Sequence, residues 1–199
     1  MTGREQMKAL LEALAVTFEN EGRAGAMQAA SALRETVNTL PKDLPAYANP
    51  FEAEIRNGLT LSPTPLASQV ENAMPYILWG GADLGEDRIP KDLADAMPTC
   101  ELVGPDGMFF AENIRVGLWM QLPGLTYGPR HHIAEETFHI IAGEGLWSAE
   151  GRETAIHGSG AEIFHPSNIQ HTSVTRDKPF FTAWRWSGEV GYDGYQLKG

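Results

Sequence analysis

Residues 128–145 read GPRHHIAEETFHIIAGEG, and this stretch carries the most information about the fold. Its His132 precedes Glu136 by four residues. Because side chains alternate along a strand, Glu136, Phe138 and Ile140 are predicted to share one face of a β-strand. A histidine and a glutamate at the beginning of one strand are candidate ligands of a metal ion.

A second stretch, residues 160–175, reads GAEIFHPSNIQHTSVT and supplies a third candidate ligand. Pro166 favours a turn, and His171 begins the strand-like run HTSV that follows. Two imidazoles and one carboxylate from neighbouring strands suit a divalent ion and leave positions for water or substrate. The sequence therefore predicts one divalent ion at His132, Glu136 and His171, and this ligand set accepts Zn, Fe, Mn, Ni or Co.

Short β-rich runs lie around these two stretches. In IRVGLWMQL, residues 114–122, large apolar residues alternate with other types, which predicts a strand. Glycine and proline then interrupt the chain at Pro123, Gly143 and Gly151, the spacing of an antiparallel sandwich or barrel. We therefore expect residues 99–199 to form a small antiparallel β-barrel that contains the metal site.

The chain before residue 98 has helical periodicity instead. Apolar residues recur at helical spacing across residues 7–18, and Gly22 is placed to end that helix. Further helices are predicted at residues 24–40 and 66–77. The predicted fold class is therefore mainly β with an α-helical N-terminal half, in which residues 1–98 pack on the barrel.

Composition excludes several kinds of partner. The formal net charge of −11 would repel phosphate backbones and anionic lipids, so neither nucleic acid nor membrane binding is expected. Cys100, the only cysteine of the sequence, has no partner for an internal disulfide. The N-terminal residues mix charges with helical periodicity, unlike a secretory signal, and no apolar run approaches membrane-spanning length. We expect a cytoplasmic protein.

The two histidine-containing stretches resemble the motifs of the cupin superfamily. The usual first motif contains a His-x-His pair, a glutamate and a glycine; here Arg130 replaces the first histidine, followed by His132, Glu136 and Gly143. The second motif ends in a histidine, here His171. The resemblance implies a jelly-roll barrel, also called a double-stranded β-helix. Since cupins often dimerise, it also raises the expectation of a homodimer.

Further residues make the chain similar to the dimethylsulfoniopropionate (DMSP) lyase family of cupins and its lyase-like relatives. Tyr127 lies five residues before His132, and a Trp-x-Trp segment, Trp184 and Trp186, lies near the C-terminus. In that family a metal polarises the substrate and a tyrosine removes the proton next to the carboxylate, so that dimethyl sulfide leaves and acrylate remains. The resemblance implies a metal-dependent carbon–sulfur lyase acting on DMSP or a similar β-substituted small carboxylate.

One position departs from the family's pattern. Active members usually have a tyrosine two residues after the ligand glutamate, where this chain has Phe138. Phenylalanine cannot accept a proton, so Tyr127 is the remaining candidate for the catalytic base. A phenol of ordinary pKa, about 10, needs a nearby metal or guanidinium to lower it. The departure leaves alternatives open: another cupin metalloenzyme (isomerase, hydrolase or dioxygenase) on a small organic acid, or a non-catalytic metabolite-binding cupin.

Four side chains are candidates for substrate binding. Alternation places Arg130 on the face of the predicted ligands, where its guanidinium would suit a small carboxylate. In the alternative, the loop shifts by one residue, His131 supplies a fourth ligand and Arg130 points to solvent. The other candidates are Phe138, Trp184 and Trp186; indoles more often pack than bind, although they suit a sulfonium or ammonium cation.

Two further histidines have less specific interpretations. His139 is expected to face away from the site, in a hydrogen bond or at the surface. His165 precedes the strand of His171 and is evenly balanced between packing and orienting a metal ligand.

Overall fold

The computed structural model describes residues 1–85 and 87–198. Its helices lie in the first half of the chain, as predicted. They are α1 (Gly3–Glu21), α2 (Ala24–Thr39), α3 (Glu52–Leu59), α4 (Pro65–Ala73) and the short α5 (Lys91–Asp95), with a 3₁₀ turn at Met74–Tyr76. None of the described helices combines the length and apolarity needed to cross a membrane.

Helix α1 shows why the sequence predicts its bounds well. The Thr2 side chain accepts the backbone N–H of Glu5, and the Glu5 carboxylate accepts the N–H of Thr2, which closes a capping box. Gly22 then ends the helix with a positive φ of 73°, a conformation that glycine adopts without steric cost. Helix α3 was not predicted, since its eight residues are too few to show a clear apolar period.

The strands follow in chain order, most of them in the second half. They are β1 (Gly80–Gly81), β2 (Pro98–Gly104), β3 (Phe109–Phe110), β4 (Ile114–Gln121), β5 (Thr126–His131), β6 (Glu135–Ala149), β7 (Ala155–Gly158), β8 (Glu162–His165), β9 (His171–Val174), β10 (Phe180–Ser187) and β11 (Gln196–Leu197).

These strands form a curled, almost entirely antiparallel sheet of the jelly-roll type. The order along it is β1-β2-β4-β10-β6-β9-β5-β11, with β7 and β8 also paired to β6 and β3 paired in parallel to β2. The predicted fold class, mainly β with a helical N-terminal half, is confirmed. The division of the chain into two regions at residue 98 stays a prediction.

The long strand β6 connects the two parts of the sheet. Its first half pairs with β8 and β10, and its second half pairs with β7 and β9. The strand changes partners near Gly143, which has a φ of 75°. A Cβ atom there would lie 2.1 Å from the carbonyl oxygen of Pro179, so the position accepts only glycine without a backbone shift.

Helices α1, α2 and α4 cover the outer face of this sheet. Their apolar side chains form one buried cluster with strand residues such as Val116, Leu118 and Phe181. The other face of β4, with Arg115, Trp119 and Gln121, is also buried because it looks into the barrel. A second buried cluster, rich in aromatic residues, lies in the barrel interior.

Candidate metal centre

The three predicted ligands meet inside the barrel. His132 directly follows β5, Glu136 is the second residue of β6, and His171 begins β9. All three are buried, with 2–4% of their surfaces exposed, and their ligand atoms lie within 4.8 Å of one another. The structure therefore brings together one carboxylate and two imidazoles that could hold a metal ion.

The orientation of the two imidazoles fits a cation. The Nδ1 of His132 lies 3.0 Å from the carbonyl oxygen of Ala134, and the Nδ1 of His171 lies 2.9 Å from that of Ile169. Since a carbonyl oxygen only accepts, each Nδ1 carries the proton, and in a neutral ring Nε2 is left with a lone pair.

Both Nε2 atoms face the same oxygen. Glu136 Oε2 lies 3.3 Å from His132 Nε2 and 3.2 Å from His171 Nε2. The Nε2 of His171 is buried and has no hydrogen-bond partner among the described residues. Lone pairs that converge on a carboxylate without protons to share are the arrangement that a divalent cation satisfies.

Electrostatics keep these groups in the forms that bind metals. Burial raises the pKa of Glu136, but the nearby imidazoles, His132 first and then His165 and His171, hold that pKa well below its usual range. Burial, then the charge of Arg130, lowers the pKa of His171 to about 3, so its ring is neutral at pH 7. A carboxylate and a neutral imidazole are the states that metal binding requires.

Two further side chains lie close to the Glu136 carboxylate. The indole Nε1 of Trp186 donates to Glu136 Oε1 over 2.6 Å. His165, which the sequence left undecided, is 1% exposed and places its Nδ1 3.5 Å from Glu136 Oε2. Its ring is stacked on that of His171, with centroids 4.0 Å apart and planes 18° from parallel. The sequence signal for His165 was its position directly before Pro166, ahead of the strand of His171.

A cavity of about 450 Å³ leads to this centre. Its wall includes His132 and Glu136 of the centre and every other residue predicted for catalysis or substrate binding: Tyr127, Arg130, Phe138, Trp184 and Trp186. Trp119 and Tyr195 also line the cavity, and neither was predicted as a site residue because both lie outside the two motifs. Its outer part contains Arg115, which donates to Glu101 and Asp106 over 2.6 and 2.9 Å.

Arg130 is packed into the cavity wall rather than turned to solvent. It is 2% exposed, its guanidinium lies 4.0 Å from the centroid of the Tyr127 ring, and Nη1 donates to the Tyr127 carbonyl over 2.6 Å. Nη2 has no hydrogen-bond partner among the described residues. His131 is half-buried in β5 opposite Gln196 and is outside the ligand group, so the structure does not show the shifted-loop alternative.

The pKa of the Tyr127 phenol is subject to opposing effects. Burial raises its pKa above the ordinary value of 10, and this outweighs the lowering by Arg130 and by the hydrogen bond with Tyr195. The two phenol oxygens lie 2.6 Å apart. Arg130 therefore acts on the pKa in the expected direction, and the lowering by a bound ion stays a prediction.

The curled jelly-roll sheet with a buried His-Glu-His group in its interior defines this chain as a cupin. The sequence model of the dimethylsulfoniopropionate lyase family matches residues 7–182. The chain belongs to the dimethylsulfoniopropionate lyase family.

Two curated proteins are similar in sequence. Dimethylsulfoniopropionate lyase DddQ of Ruegeria pomeroyi is 32% identical over 103 residues, which cover 52% of this chain and 51% of DddQ. The match thus spans about half the length of this relative. The putative dimethylsulfoniopropionate lyase DddL of Cereibacter sphaeroides is 27% identical over 162 residues, covering 79% of this chain and 67% of DddL.

Two solved structures share the fold over nearly the whole chain. One, from work on the DMSP lyases RdDddP and RnDddQII, superposes with a TM-score of 0.73 at 26% identity and covers 100% of both chains. The crystal structure of DMSP lyase DddQ from Ruegeria pomeroyi gives a TM-score of 0.63 at 23% identity, over 90% of this chain and 93% of that one. The helical half and the barrel therefore occur together in these structures.

Proposed function

We propose that this protein is a metal-dependent lyase that cleaves dimethylsulfoniopropionate, or a similar β-substituted small carboxylate, to dimethyl sulfide and acrylate. The observation that carries the proposal is the buried group of His132, Glu136 and His171 beside a cavity, in a chain that belongs to this lyase family. The proposed partner is a small molecule, not nucleic acid or membrane. The cytoplasmic location and the homodimer stay predictions.

His132, Glu136 and His171 would hold one divalent ion, and Zn, Fe, Mn, Ni and Co all suit these donors. When bound, the ion supplies Lewis-acid polarisation of the substrate. Arg130 and Glu136 carry opposite charges, so a divalent ion beside them would give these three groups together a net positive charge. A substrate anion would compensate that charge, which supports a carboxylate as the ligand.

Arg130 is the proposed partner of that carboxylate. Its buried Nη2 lacks a hydrogen-bond partner among the described residues, and the cost of a buried unpaired donor falls when a ligand oxygen accepts from it. Because a guanidinium is fixed and planar, it would orient the acid as well as neutralise it. Trp184 and Trp186 line the same cavity, where their ring faces would suit the sulfonium, and Phe138 adds an apolar wall.

The proposed reaction is a β-elimination. A base takes the proton from the carbon next to the carboxylate, the C–H electron pair forms the carbon–carbon double bond, and the carbon–sulfur pair leaves with sulfur as neutral dimethyl sulfide. Tyr127 is the proposed base, acting as phenolate, and the Tyr195 hydroxyl at 2.6 Å would donate a hydrogen bond to the phenolate oxygen. Phe138 cannot share this task.

The direct test is headspace measurement of dimethyl sulfide from purified, metal-loaded protein supplied with dimethylsulfoniopropionate. We expect product from the wild type and none above background from His132→Ala. Tyr127→Phe should lower kcat by about 10²-fold or more, the usual contribution of a general base. Phe138→Tyr, which restores the family's usual residue, should raise kcat. Absence of product from both the wild type and Phe138→Tyr would contradict the lyase proposal.

The alternative functions give different results in the same preparations. An iron-dependent dioxygenase would consume oxygen with a small acid only when loaded with iron. A metabolite-binding cupin would be stabilised thermally by small acids without turnover. Phe138 is the observation that motivates these comparisons, since it removes the commonest base of the family.

A further inference from the structure

His165 lies beside the metal centre without belonging to the ligand group. It is the last residue of β8, and the register of β8 against β6 places it directly opposite Glu136. Alternation turns its neighbour Phe164 outward, where Arg23 lies 4.2 Å above the ring. His165 therefore points inward, and only 1% of its surface is exposed.

Both oxygens of the Glu136 carboxylate have nitrogen atoms of other side chains nearby. Oε1 accepts the indole N–H of Trp186 over 2.6 Å. Oε2 is approached by three ring nitrogens, from His132, His171 and His165, at 3.3, 3.2 and 3.5 Å. The nitrogens are not equivalent, because His132 and His171 approach through Nε2 and His165 approaches through Nδ1.

Oε2 can serve two partners at once, since a carboxylate oxygen has two lone pairs. An ion held by the Nε2 atoms of His132 and His171 would use one lone pair. The other is then available to a donor on the side of His165. The Nδ1 of His165 is buried and has no hydrogen-bond partner among the described residues, so it is free to serve as that donor.

We propose that His165 is a positioning residue of the metal centre, which donates its Nδ1–H to the Oε2 of Glu136 and supports the ring of His171 by stacking. The inference rests on the metal site of the proposed function but not on the identity of the reaction. His165 is absent from the described wall of the cavity, so it acts through Glu136 and His171 rather than on the substrate.

Together with Trp186, His165 would fix both oxygens of the ligand carboxylate. A carboxylate held at both oxygens cannot rotate away from the ion, so less rotamer freedom is lost when the ion binds. Partners of this kind typically change metal affinity by about 10- to 100-fold. If His165 acted only by stacking on His171, a phenyl ring in its place would preserve that packing and the metal affinity would not change.

Metal affinity of stripped, refilled protein is the test, with Co²⁺ as the probe in competition with a chromophoric chelator. His165→Phe keeps a ring against His171 and removes the donor, so we expect the Kd for Co²⁺ to rise about 10- to 100-fold. His165→Asn places an amide N–H near the position of Nδ1 and should recover most of that loss. The matched control is His139→Phe, which replaces a half-buried imidazole of β6 that faces Glu21 and should leave the Kd unchanged.

The outcomes separate this inference from the proposed function. Wild-type affinity in His165→Phe, or equal losses in His165→Phe and His165→Asn, would overturn the positioning role. Loss of a nitrogen ligand from the visible spectrum of the Co²⁺-loaded His165→Phe protein would overturn it too, since His165 would then be a ligand. Failure of the wild type itself to bind any divalent ion would refute the metal site, and with it both proposals. If His165→Phe does not fold, His165→Asn compared with His165→Ala decides the question in the same way.

Discussion

Two buried glutamates lie on opposite faces of the same pair of strands. Glu136 points into the barrel, where its side chain is 6% exposed. Glu21, the last residue of α1, reaches the other face, where its side chain is fully buried against Arg185 of β10 and Thr137 of β6. Each carboxylate also has a histidine nearby, His132 at Glu136 and His139 at Glu21.

The two differ in what balances their charge. Glu21 accepts from the guanidinium of Arg185 at both oxygens and from the Thr137 hydroxyl over 2.9 Å, so a permanent cation of the chain neutralises it. Glu136 has imidazoles that present lone pairs instead. The difference between the two shows that burial of a carboxylate does not by itself indicate a binding site. A buried carboxylate that is paired with a cation of the chain, such as Glu21, makes a structural contact. A buried carboxylate without such a cation, such as Glu136, indicates a site for a bound cation.

The largest effect is expected when Glu21 is removed. Glu21→Ala would leave Arg185 buried without a counter-charge, which costs about 3–5 kcal/mol of unfolding free energy. The control is Glu162→Ala, whose pair with Arg23 lies at the surface and is worth less than about 1 kcal/mol. Chemical denaturation measures both. A loss at Glu21 no greater than at Glu162 would contradict the structural role, and the Kd for Co²⁺ should be unchanged in both variants.

Acid should act on the same contact. Burial raises the pKa of Glu21, but the nearby ring of His139, the hydrogen bonds from Arg185 and the charge of Arg185 bring it from 4.5 to about 2. A folded-state pKa below the unfolded one means that the ionised group stabilises the fold above about pH 4.5, and that this contribution is lost as the pH falls towards 2. It amounts to about 3 kcal/mol. The unfolding free energy of the wild type should therefore fall more between pH 5 and pH 3 than that of Glu21→Ala; parallel curves would contradict this.

The substitution Glu136→Gln tests the second of the two buried glutamates. The amide keeps the shape and the oxygen that accepts from Trp186, but it removes the negative charge that the ion needs. We expect the Kd for Co²⁺ to rise more than about 100-fold, beyond the range of groups that only support ligands. Without metal, the unfolding free energy should not fall, because no cation of the chain loses its partner. A metal-free protein destabilised as much as Glu21→Ala would show that Glu136 is a structural contact as well.

Trp186→Phe should give the smallest effect. It removes a single hydrogen bond to Oε1, for which we expect a Kd about 10-fold weaker. Trp147→Phe is the matched control, since its buried Nε1 has no hydrogen-bond partner among the described residues. Equal shifts in the two variants would assign the effect to packing rather than to the hydrogen bond.

Local patterns made part of this structure predictable. The helical period and Gly22 locate α1, and the spacing of His132, Glu136 and His171 identifies the centre before any coordinates are known. The first signal depends on residues near one another in sequence, and the second depends on two short motifs that can each be recognised locally. The prediction that His139 faces away from the ligands also holds, because alternation along a strand is a local rule; its ring lies beside Glu21.

Contacts between distant segments could not be predicted in this way. Glu21 and Arg185 are 164 positions apart, and nothing in either neighbourhood marks them as partners. Arg115 in β4 alternates with apolar residues as a solvent-facing residue would, yet it is 4% exposed, because Glu101 and Asp106 supply its counter-charges from elsewhere in the fold. The pKa of Tyr127 also depends on burial by the whole fold, which sequence spacing does not report.

The double pairing of β6 has a consequence for the timescale of opening. Its amides are bonded to β8 and β10 at one end and to β7 and β9 at the other, so no single neighbouring strand can peel away and free it. We expect deuterium to enter the middle of β6 only through global unfolding, while the short β1 and β11 exchange through local fraying. Glu136, the second residue of this strand, would then be anchored by one of the slowest-exchanging segments, and its backbone would keep its position while the edges of the sheet open.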